Sequence, residues 1–145
     1  MRGLRRFGGA RDGATAVEFA LLVGPFILLM FGVIEYSRLV WTRQALQQAA
    51  VAGARCVGVL NTSCASSGAY SSSSTATYVQ GLASAWGVTL ATSNVTSTNS
   101  ASCAGVTGFS QVSISYTFQS PVAALISMSN SGVPVAVSAC FPNQS

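Results

Sequence analysis

The side chains able to do chemistry in this chain are few, and they gather at one end. Its three acids (Asp12, Glu18 and Glu35) and its seven arginines all lie at or before Arg55, and it has no lysine or histidine. The last 90 residues carry no charged side chain, and about a third of them are Ser or Thr. General acid–base work needs an imidazole, an amine or paired carboxylates, and a serine nucleophile needs a base beside it. Beyond Glu35 the sequence supplies neither, which argues against an enzyme, a bound cofactor or a small-molecule substrate. The four cysteines, Cys56, Cys64, Cys103 and Cys140, form no CxxC pair and have no histidine to complete a zinc site, so no metal is expected. Nucleic acid is not an expected partner either. Arg2, Arg5, Arg6 and Arg11 precede an apolar run, and nothing beyond Arg55 can build a phosphate-binding face.

One of the acids is out of place. The run Ala14 to Ile34 holds 21 residues with Glu18 as its only charge. At helical rise it extends about 31 Å, the thickness of a bilayer's hydrocarbon core. A cleavable secretory signal has a shorter apolar core followed by a small-x-small site, whereas here Glu35-Tyr36-Ser37-Arg38 follows. Four arginines before the run, against Arg38 and Arg43 soon after it, place the N-terminus in the cytoplasm by the positive-inside bias. All four cysteines then fall on the far side, where an oxidising compartment favours disulfides. Four cysteines allow three pairings and the sequence does not choose among them. The working expectation is Cys56 with Cys64 and Cys103 with Cys140. A charged head surface normally opposes self-association. An uncharged one suits a subunit packed in an assembly or held at a membrane, and equally a low-complexity secreted region.

The elements that must position these residues follow from periodicity. Leu39, Leu46, Ala49 or Ala50, Gly53 and Cys56 or Val57 recur at three, four or seven, one apolar stripe that carries the helix past the membrane. One helix of roughly 60 Å is expected from about Thr15 to Val57. Pro25 removes an amide donor and crowds the carbonyl of Leu21, and Gly24 weakens the helix further, so a kink or local unwinding is expected at Gly24-Pro25. "NTSCASSGAYSSSSTAT" reads as a flexible connection, and Val79, Leu82, Ala83 and Trp86 as a short amphipathic helix. Thr92 to Gly108 reads as a second loop. "QVSISYTFQ", Gln111 to Gln119, alternates strictly and predicts a strand with Val112, Ile114, Tyr116 and Phe118 on one face. "VPVAVSACF", Val133 to Phe141, predicts a second, which Pro134 requires to lie at an edge or to start late. "PVAALISM" between them reads as a turn of helix or a further strand. The predicted class is α+β: a long N-terminal transmembrane helix continuing into a small periplasmic head with a two- or three-stranded antiparallel sheet. The domains are a basic leader at 1–13, a transmembrane helix at 14–34, its periplasmic continuation at 35–57, and a Ser/Thr-rich, disulfide-containing head at 58–145.

Gly13-Ala14-Thr15-Ala16-Val17-Glu18-Phe19, behind a basic leader and opening a long apolar helix, resembles the processing site of type IV prepilins. With the exit Glu35-Tyr36-Ser37-Arg38, the stretch from about residue 5 to 55 is similar to the TadE-like pilus-assembly proteins, minor pilins or pseudopilins of the Tad/Flp tight-adherence system. Asp12 departs from the pattern by reducing the positive charge beside the cut.

The resemblance implies a prepilin peptidase that cuts between Gly13 and Ala14, other pilins and Tad secretion-machine proteins as partners, and a place in the bacterial inner membrane. It favours a minor over the abundant subunit, because the family's major pilins are much shorter and lack a sizeable head. It also gives Glu18, followed by Phe19, a role. Cleavage exposes an ammonium at Ala14, which a neighbouring subunit's Glu18 can pair with, neutralising two charges costly in lipid and fixing register. The alternative is a Glu18 protonated or solvated by headgroups. Glu35 at the opposite boundary is expected to make only a weak i,i+3 pair with Arg38. A rival to the whole reading is an uncleaved single-pass envelope protein whose head binds a machine component or surface polymer.

Overall fold

In a computed structural model, residues 12–120 and 132–144 are described. The elements run α1 (Asp12–Gly58), β1 (Ala65–Ser66), β2 (Ala69–Tyr70), α2 (Ser72–Ala85), a 3-10 turn (Thr92–Asn94), β3 (Val95–Cys103), β4 (Val106–Phe118) and β5 (Val133–Pro142). The protein is α+β, a long apolar N-terminal helix followed by a head with a small antiparallel sheet. The "PVAALISM" segment and the leader to Arg11 lie outside the described residues. The chain forms two compact units, one up to Ser37 and one from Arg38.

In the first unit, the large apolar side chains from Val17 to Ile34 are exposed, with Val23 half-buried. A helix apolar on all sides has no core-facing stripe of its own and belongs in lipid or among other helices. This one is long and apolar enough to cross a membrane. Its backbone stays helical through Gly24 and Pro25, the position of the expected kink or local unwinding.

In the second unit, the stripe on α1 is the core face. Ala45, Leu46, Ala49, Ala50, Gly53, Ala54 and Val57 are buried, with Leu39 partly so. All but Val57 pack with Val79 and Ala83 of α2 and with the inner face of the sheet, while Val57 packs with Cys56, Cys64, Tyr70 and Tyr78. Small residues permit the approach: a Cβ on Gly53 would lie 2.6 Å from Cγ2 of Val79. The sheet has the order β3-β4-β5, all antiparallel. Val95, Ile114 and Val137 form one cross-strand row on its buried face, and Ser97, Val112 and Ala139 the next. β4 covers most of the strand expected at 111–119 but begins five residues earlier, at Val106; β5 lies at an edge and does not start late, since it begins at Val133, before Pro134.

Two stretches read as loops are ordered elements. Thr92 to Gly108 holds the 3-10 turn, all of β3 and the start of β4. β3 was hidden because it places mostly hydroxyls and Ala101 along a strand with only Val95 as a large apolar residue. Its hairpin turn is Ala104-Gly105, both at positive φ (52° and 82°). Such turns usually announce themselves with Asn or Gly at the first position, and an alanine there gives no signal. The expected connection at 61–77 contains the β1–β2 hairpin and the first turns of α2. Within its serine run, Ser71 is an N-cap: its Oγ accepts from the Ser74 amide at 3.3 Å. Thr75 and Ala76 extend the buried face of α2 upstream of Val79, while Trp86, placed on that face from the sequence, is half-exposed.

Both helices of the second unit end in the same way. After α2, Gly87 (φ 77°) lets its own amide and that of Val88 reach back to Ser84 and Ala83. After α1, Leu60 takes this left-handed position at φ 49°, and the amides of Leu60 and Asn61 bond Val57 and Cys56. A leucine there costs roughly 1–2 kcal/mol relative to glycine.

Candidate functional site

Residues with a functional reading lie in both units, and each unit offers a different kind of chemistry. In the first, Gly13 and Ala14 occupy the first turn of α1, with Glu18 and Phe19 one turn further along. Gly13 and Glu18 are exposed and Phe19 is 69% exposed. A Cβ on Gly13 or on Gly24 would meet nothing within 4 Å. Among the described residues no hydrogen bond or ion pair reaches Glu18. Among the described residues of this unit, no side chain covers the helix around Glu18.

Placement in a first turn has a consequence for the Gly13–Ala14 bond. The first four amides of a helix lack intrahelical acceptors, and glycine costs about 1 kcal/mol relative to alanine inside a helix. This turn is therefore the cheapest part of α1 to open into the extended form a protease cleft requires. Pro25 removes one ladder bond in the middle of the apolar stretch without interrupting the helix.

In the second unit the candidate residues are structural. Cys56, in the last turns of α1, is joined to Cys64 just before β1, with Cα atoms 5.9 Å apart. Cys103, at the end of β3, is joined to Cys140 of β5, with Cα atoms 6.5 Å apart. In the sheet β4 lies between those two strands. Register shifts in β3 around Ala101 bend its end, which brings Cys103 within reach of β5. Among the described residues no three His, Cys, Asp or Glu side chains cluster as a metal site would need.

Sequence reasoning passed over Asn143, which ties three elements together. Its Nδ2 donates to the Asn99 carbonyl at 2.7 Å, its Oδ1 accepts from the fully buried Ser110 hydroxyl, and its amide donates to the Gly108 carbonyl at 2.9 Å. The residue occupies a glycosylation triplet, as do Asn61 and Asn94, and each side chain makes a hydrogen bond. Nδ2 of Asn94 donates to Ser115 at 2.7 Å, and Oδ1 of Asn61 accepts from the Ser63 amide at 3.0 Å. The side-chain amides of Asn94 and Asn143 thus serve strand ends, and the side-chain oxygen of Asn61 serves a turn.

Edge strands carry unpaired backbone groups, which proteins usually guard with charge. This head has no charge to spend beyond Arg55. Neutral side chains bond strand carbonyls instead: Tyr70 Oη donates to Ser97 at 2.6 Å, Asn143 to Asn99, and Gln47 Nε2 to Ser138 at 3.2 Å. The outer face, with Thr96, Ser113, Ser115, Ala136 and Ser138, is equally uncharged. Such a surface can pack and exchange hydrogen bonds. It holds no general base or paired carboxylates.

Compared with known protein families, residues 13–55 match the model described as TadE-like protein. The match begins at Gly13, takes in Glu18 and Phe19, and ends at Arg55, so it covers most of α1 and leaves the sheet outside. No curated protein and no solved structure matches the chain.

Proposed function

We propose, from the premise that residues 13–55 are TadE-like and so associate the chain with a Tad pilus system, that it is a minor pilin or pseudopilin of that system. It is inserted in the bacterial inner membrane by residues 14–34, with the head in the periplasm. A prepilin peptidase cuts it between Gly13 and Ala14, and it helps to prime or assemble the adhesive pilus with other pilins and with Tad secretion-machine proteins. The observation that carries this reading is the Gly13-to-Glu18 spacing at the start of an exposed apolar helix, inside the family match.

The physics of that spacing is specific. Ala14 and Glu18 are four residues apart, about 6 Å of helical rise. If Glu18 of one subunit pairs with the Ala14 ammonium of a parallel neighbour, the two helices are staggered by about that distance. A carboxylate and an ammonium are each expensive alone in hydrocarbon and far less so together. The pair therefore sets register more than it adds stability. Phe19, beside the carboxylate, supplies apolar area against the same neighbour. The paired cysteines hold the head compact in an oxidising compartment, where a thin apolar core benefits most from cross-links.

Substituting Glu18→Ala tests the assembly role. The variant should insert and accumulate in the membrane like the parent while pilus output falls, and Glu18→Asp, which keeps the charge, should restore part of it. Unchanged piliation in the alanine variant would remove the proposed role of the carboxylate.

A further inference from the structure

The chain has only two tryptophans, and the fold brings them together. Trp41 of α1 and Trp86, the residue capping α2, meet edge to face with ring centroids 5.8 Å apart. The Trp41 indole N–H donates to the Trp86 carbonyl at 3.4 Å. Yet neither ring belongs to the core: Trp41 is 58% exposed and Trp86 49%. Trp86 caps α2 through its backbone amide, which bonds the Ala83 carbonyl, so helix termination does not require the indole. With Gln44, Ala45 and Gln48 the two rings line a small, uncharged cleft of about 100 Å³.

We infer that the Trp41–Trp86 pair is a lipid-binding surface that seats the head in the headgroup layer of the bilayer holding its own helix. Three features single out lipid as the occupant. Tryptophan is enriched at the membrane–water interface, where its apolar body and polar N–H suit a boundary that is dry on one side and wet on the other. Trp41 lies only seven positions beyond Ile34, the last residue of the apolar run, and so close in sequence to the membrane boundary. The charges agree as well. From Arg38 onward the sequence holds Arg38, Arg43 and Arg55 and no acid. Arg43 is exposed on another side of α1 from Trp41, half a turn further along, and its long side chain is able to extend to a lipid phosphate while its stem lies against apolar surface. A unit whose charged side chains are all of one sign is drawn to anionic headgroups.

The inference rests on membrane insertion of residues 14–34 and is independent of the pilin assignment. Because Trp41 and Trp86 are the only indoles, tryptophan emission reports this surface alone. The full chain is reconstituted at low protein-to-lipid ratio in phosphatidylcholine–phosphatidylglycerol vesicles, with lipids brominated either near the headgroup or near the acyl terminus. Carbonate extraction checks insertion on the same vesicles. Trp41→Phe and Trp86→Phe read each indole singly. For both indoles, headgroup-proximal bromine should quench at least about twofold more strongly than deep bromine, as an interfacial position requires. Inserted protein whose indoles no brominated lipid quenches would overturn the inference while leaving anchoring intact. So would emission that responds to raised protein density but not to bromine, which would mean that a second subunit covers the pair. Protein extracted by carbonate would overturn the inference together with the membrane reading itself.

Discussion

Removing the two cross-links separately should destabilise the head by unequal amounts that follow from the chain they enclose. Cys103 and Cys140 are 37 residues apart in sequence, Cys56 and Cys64 only 8. In the loop-entropy relation, closing these segments in the unfolded chain is worth about 3.8 and about 2.5 kcal/mol. For a unit of this size, that corresponds to melting temperatures lowered by roughly 15 °C in Cys103→Ala/Cys140→Ala and roughly 10 °C in Cys56→Ala/Cys64→Ala. The assay is thermal or guanidinium unfolding of the full chain in detergent, followed by the emission of Trp41 and Trp86, which both belong to the unit from Arg38. Non-reducing peptide mapping of the parent gives the connectivity directly. The pairing itself is exposed to refutation by the pattern of losses. With any other pairing, each double variant would lack both bridges and the two would be equally destabilised. Equal losses, a reversed order, or free thiols at all four cysteines would refute the reasoning.

Two further substitutions probe the packing that positions the head. Gly53→Val puts a branched side chain where a single Cβ already comes to 2.6 Å from Val79 Cγ2, so unfolding in the same detergent should show a loss of about 1–3 kcal/mol from overpacking; unchanged stability would mean that α1 and α2 are not in close contact. Asn143→Ala strips partners from Asn99 and from the buried Ser110 hydroxyl, at an expected cost of about 1–3 kcal/mol. Amide exchange should rise around Gly108 and Asn99 in that variant, and protection equal to the parent's would contradict the clamp.

What the sequence disclosed depended on how strongly each element writes its burial into residue type. The apolar run and the Leu39-to-Val57 stripe are legible because their periodicity is set by large or small aliphatic residues against polar ones. The strand around Gln111–Gln119 is legible because bulky residues alternate with hydroxyls. β3 is nearly silent, since a strand built of Thr, Ser, Asn and Ala has the composition of a loop and gains its burial from β4 and α2 rather than from its own side chains. The start of α2 is silent for a related reason. Ser71 to Ser74 look like linker, and only the capping bond of Ser71 and the buried Thr75 reveal a helix. At the candidate site, Gly13, Glu18 and Phe19 stand out in sequence because a charge in an apolar run is anomalous. Asn143 does not, since its three bonds reach residues 33 or more positions away and leave no local pattern.

Glu18 has a matching charge only after the bond behind Gly13 is cut, so its proposed role requires that the chain become a processed subunit. The most direct test of that processing is the N-terminus of the membrane-bound protein, read by sequencing or intact mass in cells with an active prepilin peptidase. The account predicts a chain that begins at Ala14 in those cells and at Met1 when the peptidase is inactivated. A membrane form that begins at Met1 while the peptidase is active would contradict it.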